Sequence, residues 1–180
     1  MLNAYYQLTA EREAMGIPGL PLTADETQEV TELLEKPNST NTSHLIELLK
    51  GRVPPGVDSA SLVKASWLNA VGTGAVVCPY ISALEAVRLL GTMIGGYNVG
   101  ALIKLLANED HKIAECAADG LSKTLLVYDA VNDIFDLSKK NIYAEKVINS
   151  WARADWFTRK APLKEEIIVT IFKVEGEINT

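Results

Sequence analysis

The chain has 180 residues, 48% of them apolar and 22% charged, and carries a net charge of −6. That is the composition of a soluble globular protein with room for one sizeable domain, and its acidic balance argues against a nucleic-acid surface except through a local basic patch. No apolar run approaches the ~20 residues that span a bilayer, so no membrane partner is expected.

The opening MLNAYYQLTAERE has neither a basic nor an apolar signal region, so a cytoplasmic location is expected. Residues 1–15 read as a helix, with Leu2, Tyr5, Tyr6 and Leu8 available for packing. The glycines and prolines of 16–21 stop it. Thr23-Ala24-Asp25-Glu26 fits a capping box, opening a helix with Val30, Leu33 and Leu34 that ends before Pro37. After the polar loop PNSTNTS, Thr42 or Ser43 caps a short helix bearing Leu45, Ile46, Leu48 and Leu49, closed by Gly51.

Residues 52–58, RVPPGVD, form a rigid connector, because two prolines fix φ and remove two donors. Asp58 or Ser59 then starts a helix with Leu62, Val63, Ala65, Trp67, Leu68 and Ala70. Trp67 is expected in the core beside Leu62, Val63 and Leu68. This helix stops at Gly72-Thr73-Gly74. Ser82-Ala83-Leu84-Glu85 is a second capping box, and its helix carries Ala86, Val87, Leu89 and Leu90 up to Gly91.

From Gly95 to Leu126 the periodicity is clearest. Val99, Leu102, Ile103, Leu105 and Leu106 make one apolar face. After the Asn108-Glu109-Asp110 turn, Ile113, Ala114, Ala117, Ala118 and Leu121 make another. Two helices joined so tightly pack antiparallel, and small residues on the second let the backbones approach. Residues 127–137 and 142–151 read as a last pair. Helical hairpins therefore start near residues 24, 58, 97 and 127, a loose period that resembles HEAT repeats. A single pair of this kind leaves a face uncovered and needs neighbours.

The end of the chain differs. Glu166 to Val174 is β-branched and almost uninterrupted, and reads as a strand buried on both faces. Nothing else in the sequence offers it a partner, so a second, cut-off domain is expected to begin here.

No arrangement of catalytic type stands out. His44 and His111 are far apart and lack a second ligand at helical spacing, so no metal site is expected on them. Asp129, Asp133 and Asp136 share part of a helix face and read as a solvated surface, and Asp155 as a cap. The glycines of 91–98 follow no strand, so they break helices rather than cradle phosphate. Cys78 and Cys116 lie in different elements without ligand spacing and read as buried free thiols. No catalytic, cofactor-binding or metal-binding residue is assigned.

Several blocks together resemble the N-terminal end of the aconitase B family of bacterial aconitate hydratases. They are RVPPGVD at 52–58 with LVKASWL at 62–68, LLGTMIGGYN at 89–98, and LSKTLLVYD at 121–129. SWARADWF at 150–157 and VTIFKVEGEINT at 169–180 complete the set. The resemblance implies an all-α, HEAT-like α-solenoid of about four hairpins over residues 1–160, with a C-terminal β-strand tail. Residues 161–180 would be a linker and the start of a truncated swivel domain. It also implies a parent lyase that interconverts citrate and isocitrate through cis-aconitate on a [4Fe–4S] cluster. The cluster cysteines and substrate-binding residues of the family lie further on, so none carries over, and Cys78 and Cys116 match no ligand motif. This chain is expected to bind no cofactor. Its expected partners are protein, either the remaining aconitase domains or a second copy, with weak RNA contact through Lys139-Lys140 and Lys146 or Arg159-Lys160. The competing expectation is a free-standing HEAT-like adaptor.

Overall fold

The structure, a computed structural model, describes residues 2–124, 127 and 130–153. The chain divides into two compact units, Met1–Asn149 and Ser150–Thr180. Of the second, residues 150–153 are described: 150–152 end the last helix and Arg153 is in a turn. The expected strand at 166–174 lies outside the described residues, as do Asp129, Asp155, Arg159 and Lys160.

All regular structure among the described residues is helical: α1 (Leu2–Ala14), α2 (Ala24–Glu35), α3 (Thr42–Gly51), α4 (Ser59–Gly72), α5 (Ala83–Leu90), α6 (Val99–Leu105), α7 (His111–Ser122), α8 (Ala130–Ser138) and α9 (Ile142–Ala152). The described part of the chain is all-α. Helix α1 leans on α2, and α2 packs on both α3 and α4. Next, α4 packs on α5, α5 on α7, and α6 on α7, while α6 also touches α8. The result is a run of helix pairs, each resting on the next, with starts close to those read from the periodicity. None of these helices is long and apolar enough to cross a membrane.

The local signals act as their chemistry dictates. Thr23 accepts from the Glu26 N–H, and the Glu26 carboxylate takes the Thr23 N–H at 2.9 Å, closing a full capping box. Asp58 accepts from the Ser61 N–H and caps α4, and Asp110 accepts from the Lys112 N–H and caps α7. Two expectations need correction. The cap of α3 is Asn41, in the left-handed region at φ 58° with no side-chain bond, rather than Thr42 or Ser43. The Ser82 box is half made: its hydroxyl accepts from the Glu85 N–H, while the Glu85 carboxylate turns to Lys50 and Arg88. A charged partner from another helix outcompetes a backbone N–H for that carboxylate.

The core is a continuous apolar seam. Val30 and Leu34 of α2, Leu49 of α3, Leu68 of α4, Val87 and Leu90 of α5, Leu102 of α6 and Leu121 of α7 are all buried. Trp67 is buried too, and its indole N–H donates to Glu35 of α2 at 2.8 Å. Leu62 is a correction: it is 47% exposed, because it stands with Ser59 and Ser66 on the exposed side of α4, while Ser61, Lys64, Ala65 and Leu68 take the packed side. Leu8 of α1 is likewise exposed.

The 52–58 connector is knitted to the 91–98 loop. The Pro55 carbonyl accepts from the Ile94 and Gly95 N–H groups at 3.0 and 3.1 Å, and the Tyr97 hydroxyl donates to the Val57 carbonyl at 2.9 Å. Gly95 lies so close to the Gly56 carbonyl that no side chain fits there. Inside the same loop Asn98 is fully buried. Its amide donates to the Leu90 and Met93 carbonyls at 2.8 and 2.9 Å, which fastens the start of α6 to the end of α5.

Candidate functional site

The second helices of successive pairs, α3, α5, α7 and α9, are tied by charge at two of their three junctions. Between α3 and α5, the Lys50 ammonium lies 2.8 Å from Glu85, which also takes Arg88 at 2.6 Å. Between α7 and α9, Lys146 bridges Glu115 at 3.2 Å and Asp119 at 2.9 Å. The Lys50 hydrogen bond holds the Glu85 carboxyl below the usual carboxylate range. The Asp119 hydrogen bond raises the Lys146 ammonium above its own.

The middle junction is built differently. No ion pair joins α5 to α7 among the described residues, and their backbones meet directly at Gly91 and Gly120. Beside that crossing runs a groove of about 420 Å³. Its apolar lining comes from Leu84, Cys116 and the two glycines. Arg88 and Thr92 stand on the α5 side, and Lys112, Glu115, Asp119 and Lys123 on the α7 side. The steps of three, four and four residues along α7 place these four charges in one stripe. Arg88 is engaged by Glu85, and both acids are engaged by Lys146. Lys112 and Lys123 are exposed, with no acidic partner among the described residues.

Cys116 sits against the Leu84 carbonyl at 3.9 Å, and burial pushes its thiol pKa up. A raised pKa depletes the thiolate, so this cysteine is a weak nucleophile and a weak metal ligand. Cys78 lies in the loop between α4 and α5, its Sγ 3.3 Å from the Leu34 carbonyl of α2. Each cysteine is half-buried and free. An iron–sulfur cluster is held by three or four thiolates converging on one point. Two separated thiols do not supply that set, so these residues do not fit the cluster that the resemblance implies for the parent enzyme.

The other titratable candidates stay dispersed. His44 lies 3.8 Å from Glu47 with its ring against Tyr6, and the His111 Nδ1 lies 2.9 Å from the Tyr143 hydroxyl. Asp133 and Asp136 are exposed on α8, Asp136 pairing with Lys139 at 2.6 Å. Among the described residues no group of three or more His, Cys, Asp or Glu side chains could hold a metal ion.

Two features escaped the periodicity. Lys64 of α4 is 3% exposed and has no ion pair among the described residues, and desolvation pushes its pKa down. The signal was its place in the stripe between Ser61 and Leu68, which a charged residue normally avoids. The groove itself had no signal, since it is made of residues from two helices about 30 positions apart.

Residues 4–157 match the family described as the aconitate B N-terminal domain. The chain belongs to that family. Over its full 180 residues it is 54% identical to the aconitate hydratase B of Synechocystis sp.. It is 47% identical over 179 residues to that of Helicobacter pylori, and 45% identical over 181 aligned positions to that of Escherichia coli. The chain spans 21% of the length of each of these relatives. Within the aconitate B N-terminal domain, then, the described residues supply a helical scaffold with a charged groove between α5 and α7, and no constellation of catalytic type among them.

Proposed function

We propose that this chain is a HEAT-like protein-interaction and regulatory domain of an aconitate hydratase B, and that it carries no hydratase active site of its own. The observation that supports this reading is the end-to-end identity of 45–54% to a fifth of enzymes bearing that name. Stacked helix pairs expose long side-chain surfaces and bury only their contacts with neighbours, which suits them to binding protein. The parent activity, interconversion of citrate and isocitrate in the cytoplasm, belongs to the rest of the polypeptide on this reading. RNA contact is at most weak, because a chain with a net charge of −6 repels a polyanion outside local clusters such as Lys139-Lys140.

The test is reconstitution in trans. The purified chain is mixed with the Synechocystis aconitate hydratase B shortened by the region that this chain matches. A stoichiometric complex by light scattering, with no cis-aconitate hydration and no iron–sulfur absorbance from the chain alone after anaerobic reconstitution, is the expected result. Hydration by the chain alone, or the absence of any complex, overturns the reading.

A further inference from the structure

We propose that the groove between α5 and α7 binds an extended acidic segment of a partner protein, with carboxylates near its two ends taken by Lys112 and Lys123. The inference rests on the protein-interaction reading and adds the chemistry of the partner.

Three observations carry it. First, the groove is a locally basic cleft on an acidic protein. Its acids, Glu115 and Asp119, each pair with Lys146 of α9, and Glu85 pairs with Arg88, which leaves Lys112 and Lys123 without an acidic partner among the described residues. Second, those two lysines stand at opposite ends of α7, eleven residues apart in the sequence. At the helical rise that is about 16 Å, the length of five or six residues of extended chain. Third, the groove between them offers apolar contact at Leu84, and the two glycines, packed on each other at the helix crossing, put no side chain of their own into it.

The charge order along α7 also selects the kind of polymer. From Lys112 through Glu115 and Asp119 to Lys123 the signs run plus, minus, minus, plus. A nucleic acid presents a phosphate at every step and meets two carboxylates in the middle of the site. A peptide places carboxylates at its ends and presents backbone N–H groups, which donate to those same acids, in between. The groove therefore favours peptide over nucleic acid.

The test titrates the 180-residue chain with a fluorescein-labelled hexapeptide, Glu-Leu-Ala-Leu-Ala-Glu, at low salt, reading anisotropy and backbone amide shifts. The expected result is saturable binding that shifts the amides of α5 and α7. It should weaken about tenfold in Lys112→Glu plus Lys123→Glu, and similarly when the peptide ends are Gln, while Lys140→Glu changes nothing. No binding at about 1 mM peptide, binding indifferent to the two lysine changes, or tighter groove binding by a uridine decamer overturns the proposal. The lysine variant is also carried through the trans reconstitution. A complex that forms there while the hexapeptide fails sinks the groove and spares the domain reading, whereas loss of the complex with the unaltered chain sinks the domain reading itself.

Discussion

Gly91 and Gly120 meet backbone to backbone: a Cβ on Gly120 would stand 2.9 Å from the Gly91 Cα, and one on Gly91 would stand 3.0 Å from the Gly120 Cα. Gly91 has φ −64°, so an alanine there is conformationally free and only the contact opposes it. Gly91→Ala or Gly120→Ala is expected to cost ~1–3 kcal/mol, because α5 and α7 must separate to admit a methyl group. Gly100→Ala, in open space on α6, is expected to gain ~0.5–1 kcal/mol from lost chain entropy in the unfolded state. Urea melts read both. Since the first two changes address one contact, the double variant should cost less than their sum.

Asn98 holds the α5–α6 junction through bonds that no apolar residue can replace. Asn98→Ala is expected to cost ~2 kcal/mol, since the Met93 carbonyl loses a buried donor. Asn98→Asp puts a carboxyl where its neighbours are acceptors, which raises its folded pKa above the unfolded value. Its penalty is therefore smallest in acid, and grows as pH rises through the unfolded carboxylate pKa towards 7. Melts at pH 4 and pH 7 separate the two variants.

Lys64 supplies a pH dependence of opposite origin. Burial lowers its folded pKa below the unfolded ammonium value, so between the two the unfolded chain binds the extra proton. Its penalty is fully present below the folded pKa and falls away as pH rises towards about 10.4. Lys64→Met is expected to stabilise the fold at pH 7 by about 1 kcal/mol. The gain should shrink between pH 8 and the onset of general alkaline unfolding, as followed by circular dichroism. A gain independent of pH would assign the effect to packing alone.

Trp67 combines apolar burial with one polar bond. Trp67→Ala is expected to cost ~3–5 kcal/mol. Trp67→Phe, which keeps most of the burial and loses the bond to Glu35, should cost far less; the bond itself accounts for ~0.5–1.5 kcal/mol. A loss below about 1 kcal/mol for the alanine variant in denaturant melts would show that the ring contributes little to the α2–α4 contact.

The periodicity of apolar residues, the caps at Thr23, Asp58 and Asp110, and the glycine and proline stops determined by themselves which segments become helices and nearly where they begin. Those signals act within a turn or two, so they survive in a linear reading. The family resemblance was equally legible, because it rests on blocks of residues in order. What a linear reading could not supply was which side of a helix finds a neighbour. Leu62 and Leu8 carry the same apolar signal as Leu68 and yet lie in solvent, and Lys64 lies in the stripe that solvent does not reach. Burial depends on the packing of another helix against that side, and neither the angle nor the register of that packing is written locally. The same holds for Glu85, whose capping role gives way to a lysine 35 positions earlier, and for the groove. Its lining exists only because two glycines let α5 and α7 touch, leaving Lys112 and Lys123 on one side of the seam with no acidic partner among the described residues.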